Sequence, residues 1–143
     1  MLRLVIVMVM AHRNGFTLME LLVVIAIIAT IGSVAFVRLA AYRAKARDAV
    51  REREIGELQK ALALYATNNR SFPVAAGPIT GTDALSAALL QHDSIPAIPR
   101  DPLRIGNYVY AYDSPDGKSY TLTYSLETDS IPGKKKGLQT ATP

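Results

Sequence analysis

In the stretch Gly15-Phe16-Thr17-Leu18-Met19-Glu20-Leu21-Leu22-Val23-Val24-Ile25-Ala26-Ile27-Ile28-Ala29, a glycine precedes an aromatic residue, a lone carboxylate and then unbroken apolar sequence. The apolar run extends from Phe16 to Val37, 22 residues in which Glu20 is the only charge. At about 1.5 Å per residue, a helix of that length covers roughly 33 Å, enough for a hydrocarbon core of about 30 Å. Nothing downstream is apolar enough to surround such a helix in a soluble protein, so the run predicts a membrane span. A secretory signal is the rival, with Arg13 as its charged region and Ala40-Ala41 near a cleavage site. The apolar core is longer than the roughly 7–15 residues of a signal, and a signal gains nothing from Glu20. A carboxylate costs about 2.5–3.5 kcal/mol at the centre of a span and less towards its end, which marks Glu20 as a functional candidate.

The rest of the chain is mixed and polar, and 143 residues leave room for one small domain beside the anchor. The net charge of +4 is dispersed, and its only cationic run, Lys134-Lys135-Lys136, reads as a solvated tail. Direct nucleic-acid binding is not expected. With no cysteine there are none of the disulfides that staple many small exported domains, so this one must be held by packing, by a partner or by an ion. Arg3 and Arg13 precede the span, whereas Arg38, Arg43, Lys45 and Arg47 follow it. By charge count alone the C-terminal part would lie in the cytoplasm.

The unit from Arg13 through Leu22, a basic leader ending in Gly15 and then Phe-Thr-Leu-x-Glu opening an apolar helix, resembles the type IV prepilins and the pseudopilins of type II secretion. The resemblance implies that a prepilin peptidase cuts between Gly15 and Phe16 on the cytoplasmic side and methylates the new amine of Phe16. A residue without a Cβ lets the backbone lie close to a protease's catalytic groups. It also implies that the domain is exported, against the charge count, and that Glu20 meets the Phe16 ammonium of a neighbouring subunit. An unpaired charge in low dielectric is expensive and a paired one much less so, which favours registered addition of subunits. The mature chain would be Phe16–Pro143, with 14 basic and 12 acidic side chains once Arg3 and Arg13 are gone. Two departures stand out. The apolar opening Met1–Met10 is unlike a short basic leader, although translation from Met10 would leave an ordinary one in which His12 is mere leader polarity. No proline lies late in the apolar helix, so any loosening would fall at Gly32-Ser33.

Beyond the span, Ile55, Leu58, Leu62 and Tyr65 form one apolar helical stripe, and Leu39, Tyr42, Ala46 and Ala49 repeat similarly upstream. Arg47, Asp48, Arg51, Glu52, Arg53 and Glu57 read as the solvated face, with Asp48/Arg51 and Arg53/Glu57 at pairing distance. The helix is predicted to run from Phe16 to about Asn68 and to end at Asn68, Asn69 and Pro73. Pro73–Thr82 is predicted as loop, Asp83–Gln91 as a short helix capped by Thr82, and Ile95–Pro102 as loop. Asn107–Asp113 and Ser119–Glu127 read as strands joined by Ser114-Pro115-Asp116-Gly117. In the second strand Tyr120, Leu122, Tyr124 and Leu126 alternate with Thr121, Thr123 and Ser125, one face buried and one wet. The tyrosines Tyr108, Tyr110, Tyr112, Tyr120 and Tyr124 follow strand propensity more readily than they form a carbohydrate-stacking surface.

No catalytic constellation emerges. Nucleophilic cysteine and a glycine-rich phosphate loop are absent, and neither His12 nor His92 has a triad around it. Asp83/Asp93 and Asp101/Asp113 have no argument for pairing. No cofactor is expected. Calcium enters only through the resemblance, since some pseudopilins hold it in C-terminal loops. Asp113, Asp116, Glu127 and Asp129 supply oxygen but match no calcium-loop spacing, so they read as turn and strand-end solvation.

The expected fold is α+β: a long N-terminal helix, transmembrane in its first half, packed against a small antiparallel sheet in the pilin manner. Residues 1–15 form the leader, 16–37 the transmembrane and assembly segment, and 38–143 the extracytoplasmic domain. The expected function is structural and not enzymatic, as a subunit of a type IV pilus, a type II secretion pseudopilus or a DNA-uptake filament. The Asp101-Pro102-Leu103 loop and the Tyr-rich hairpin with Asp116-Gly117 look like compact pseudopilins. The expected partners are a prepilin peptidase, other subunits and the inner membrane, which holds the chain by a single pass before assembly. The alternative is a monomeric, signal-anchored binding module that uses its tyrosine surface.

Overall fold

The computed structural model describes residues 15–143, so the expectations for Arg3, Met10, His12, Arg13 and the rest of the leader before Gly15 lie outside the described residues. The first element is helix α1, Leu18–Asn69. After it come strand β1 (Ala75–Pro78), helix α2 (Ala84–Gln91) and strands β2 (Ala111–Ser114), β3 (Thr121–Leu126) and β4 (Gly137–Ala141). By compactness the chain divides between Leu39 and Ala40.

Before that division, α1 is apolar and exposed from Leu18 to Ile31. Its few hydroxyls turn back on the helix. Thr30 donates to the Ala26 carbonyl at 2.8 Å and Ser33 to that of Thr30 at 2.8 Å. Such back-bonding leaves no hydroxyl donor unpaired in an apolar medium.

After the division, the strands form one antiparallel sheet in the order β1-β2-β3-β4. Ile55, Leu58 and Leu62 of α1 are buried with Tyr110, Tyr112, Tyr120, Leu122, Tyr124 and Leu126, while Leu85 and Leu89 of α2 close the core. The apolar stripe of α1 therefore packs with the sheet, and the fold is α+β in a pilin-like arrangement. α1 ends at Asn69, whose side chain donates to the Tyr65 carbonyl, and Arg70 takes the left-handed conformation that stops it. The turn before β3 needs its glycine. Gly117 has φ +70, and a Cβ there would meet the Phe72 carbonyl oxygen at 3.0 Å.

Several expectations are corrected. Asp48 and Arg51 do not lie on a solvated face: both are fully buried. They continue the Ile55 stripe backwards at intervals of four and three, so the face that meets the core is polar at this end. The upstream repeat is instead the exposed one, Leu39, Tyr42, Ala46 and Ala49 all facing outward. Of the two pairs at helical spacing, only Arg53–Glu57 is a surface pair, at 3.6 Å. The α2 cap is Asp83, not Thr82: its carboxylate accepts from the Ser86 backbone N–H at 3.0 Å and from the Ser86 hydroxyl at 2.6 Å.

The strands are shorter than their apolar runs, and Tyr108 lies before β2, where its N–H closes a turn on the Ile105 carbonyl. β1 and β4 escaped prediction. β1 is Ala-Ala-Gly-Pro, without strand propensity, and holds a proline because it is an edge strand. β4 follows the lysine run, so the tail is not merely solvated. Lys134 reaches the Glu52 carboxylate at 2.5 Å and the Tyr124 hydroxyl at 2.6 Å. The outer face of β3 is only partly wet, with Thr121 and Thr123 half-buried and Ser125 buried.

Candidate functional site

The segment Gly15–Glu20 opens α1 and is exposed throughout. Among the described residues, no atom lies within 4 Å of a Cβ built at Gly15, and its φ is not left-handed, so local packing does not require glycine there. Phe16 is 80 % exposed, a costly place for an aromatic ring in water. Thr17 and Glu20 then form a reciprocal cap. The Glu20 backbone N–H donates to the Thr17 hydroxyl at 3.2 Å, and the Thr17 N–H donates to the Glu20 carboxylate at 3.4 Å. This is the capping-box arrangement in which a threonine three residues before a glutamate satisfies two orphan helix donors. The start of the helix is thus written into Thr17-Leu18-Met19-Glu20.

In the intact chain the Phe16 nitrogen belongs to a peptide bond and carries no charge. Only a cut after Gly15 turns it into an ammonium, one helical turn from Glu20. Beyond Glu20, α1 is long and apolar enough to cross a membrane, and none of its most apolar window is buried.

Residues 10–36 match the family described as the prokaryotic N-terminal methylation motif. The chain carries a prepilin-type cleavage and methylation segment. This segment contains Gly15, Phe16 and Glu20, whose exposed helix start has just been described. This is the segment that opens precursors of the type IV pilin and pseudopilin kind, and here it overlaps a helix long and apolar enough to cross a membrane. No curated protein and no solved structure matches the chain.

Away from the motif, a cluster of charged side chains, of which the sequence offered only the Asp48/Arg51 pair, ties three segments together. Arg51 donates to Asp101 through Nε at 2.6 Å and Nη2 at 3.1 Å, and through Nη1 to Asp48 at 2.8 Å and Glu127 at 2.6 Å. Its guanidinium also lies 4.8 Å from the centre of the Tyr108 ring. Asp48 in turn accepts from the backbone N–H groups of Glu127 and Thr128 at 2.9 and 2.8 Å. Arg47 makes a second, bidentate contact with Glu127. Burial by itself would lower the Arg51 pKa, but hydrogen bonds from its side chain to Asp101, Glu127 and Asp48 outweigh it and hold the value above the ordinary one. The Arg47 hydrogen bond, joined by Arg51 and opposed by desolvation, pulls the Glu127 carboxyl down to about 2.

The other residues singled out in the sequence have structural places. Tyr110, Tyr112, Tyr120 and Tyr124 are buried, so they offer no stacking surface. The Tyr110 and Tyr124 hydroxyls donate to Glu54 and Glu52 of α1, and that of Tyr112 to the Pro73 carbonyl. Burial first, then the bond to Glu54, raises the Tyr110 pKa. Of the four carboxylates weighed for calcium, Glu127 is held by two arginines, and Asp116 and Asp129 accept from the backbone N–H groups of Lys118 and Lys136. Among the described residues no three acidic or imidazole groups are placed to share a metal ion. His92 closes α2 and stands edge-on to the Tyr65 ring, 4.9 Å between centroids. Asp83 caps α2 and Asp101 holds Arg51, so neither belongs to a carboxylate pair.

Proposed function

We propose that the chain is a precursor of a structural subunit of a type IV pilus or type II secretion pseudopilus. A prepilin peptidase cleaves it between Gly15 and Phe16 and methylates the Phe16 amine, and the subunit then polymerises through its N-terminal helix. In this reading residues 1–15 are the leader, 16–37 span the inner membrane and carry the assembly contacts, and 38–143 are the extracytoplasmic domain. The observation that carries it is the methylation motif at residues 10–36, coinciding with an unburied apolar helix that begins one residue after Thr17.

The chemistry follows from the order of events. Before cleavage, the partner of Glu20 among the described residues is its own helix start, at a long 3.4 Å. Cleavage supplies an ammonium on Phe16, and the carboxylate of one copy meets the ammonium of the next as the apolar helices come together. Leaving either charge alone in hydrocarbon is unfavourable, so the pair selects copies in register. No covalent chemistry by the subunit is involved.

The second reading, a signal-anchored binding module, needs an exposed tyrosine surface, and four of its five tyrosines lie in the core. Crosslinking of a Glu20→Ala variant in cells that still cleave the leader tests the assembly reading. Loss of the crosslinked ladder is expected, and an unchanged ladder contradicts the role of Glu20.

A further inference from the structure

After Glu20 the next acidic residue in the chain is Asp48, and between them stand Arg38, Arg43, Lys45 and Arg47. Two of these six charges have partners within the domain. Asp48 is buried against Arg51, and Arg47 is bound by Glu127. Arg38, Arg43 and Lys45 are exposed, and among the described residues no carboxylate lies within ion-pair distance of them. Tyr42, 65 % exposed, lies beside Arg43 and three residues before Lys45, so it shares one side of the helix with Lys45.

These cations follow the apolar run directly, on the side to which the domain is exported. That placement opposes the usual distribution of lysine and arginine, which favours the cytoplasmic side. Cations in that position hinder export, so a benefit on the far side must offset them. Their chemistry fits one partner. Guanidinium and ammonium groups attract phosphate headgroups within a Debye length of a charged bilayer, and a tyrosine rests with its ring at the headgroup level and its hydroxyl in water.

We infer that Tyr42, Arg43 and Lys45 form a collar that binds the anionic phospholipid headgroups of the extracytoplasmic leaflet. The inference rests on residues 16–37 spanning the membrane. The collar holds the start of the domain at the bilayer surface while the subunit waits to be assembled, and it releases its lipids when the helix is withdrawn into a filament.

The chain has no cysteine, so single labels can be placed without background. The full chain is reconstituted into nanodiscs of phosphatidylcholine alone or mixed with phosphatidylglycerol. A fluorophore on Ala49→Cys reports contact with nitroxide-labelled headgroups, and one on Ile27→Cys reports burial among nitroxide-labelled acyl chains. The expected result is strong Ile27 quenching in both discs, with Ala49 quenching greater in the anionic ones. That difference should vanish at high salt and in the Arg43→Gln, Lys45→Gln double variant. Ile27 quenching with an Ala49 signal indifferent to lipid charge overturns the collar and leaves the span intact. Absence of Ile27 quenching overturns the span and the collar together.

Discussion

Arg51 grips both carboxylate oxygens of Asp101, a residue fifty positions further along the chain, and the pair is buried beneath the domain surface. Through Asp48 and Glu127 the same guanidinium also reaches the end of the last long strand. A fork with donors in fixed directions can serve three carboxylates at once, which an ammonium on a flexible stem does poorly. The lower end of the α1–sheet contact is therefore ionic where its upper end is apolar.

Removing the cation should be severe. Arg51→Ala leaves Asp48 and Asp101 buried without a counter-charge, and a loss of about 3–5 kcal/mol is expected. Arg53→Ala, which breaks only the exposed pair with Glu57, should cost less than about 1 kcal/mol. Urea unfolding of both variants checks the contrast. Equal and small losses would show that the buried cluster contributes nothing that solvent could not.

Glu127 gives the domain an acid limit. Its folded pKa of about 2 lies below the ordinary 4.5, so in that interval the unfolded chain binds more protons than the folded one. Stability from this group is fully present above pH 4.5 and drains away as pH falls towards 2. Thermal unfolding across that range should show a decline for the wild-type chain and a flatter profile for Glu127→Gln. An unchanged slope in the variant would remove Glu127 as its cause.

The short helix offers a clean comparison. Asp83→Ala should destabilise the domain by about 1 kcal/mol, because the carboxylate caps α2 through Ser86. Thr82→Ala should do little, since among the described residues the Thr82 hydroxyl meets only that of Thr80. Denaturant midpoints of the two variants decide between the caps, and the reverse order would reinstate Thr82.

What could be read in advance depended on whether burial and apolarity coincide. Ile55, Leu58, Leu62 and Tyr65 announce a buried stripe because each is apolar. Asp48 and Arg51 lie in phase with them, but charged residues are read as solvent-facing, and besides each other their partners are fifty or more residues away. The usable signal was the phase itself: stepping back from Ile55 by four and three lands on both. β2 and β3 were legible through alternating tyrosines and leucines. β1 was not, since Ala75-Ala76-Gly77-Pro78 acquires its strand geometry from pairing with β2. The order of residues from Gly15 to Glu20 was legible, because it falls in a recognisable methylation motif and also opens a helix.

The mass of the mature N-terminus tests the central claim most directly, measured in cells with and without the prepilin peptidase. The account predicts a chain beginning at N-methylated Phe16 when the peptidase is present and an uncut leader when it is absent. A terminus near Tyr42, or a leader retained in the presence of an active peptidase, would contradict it.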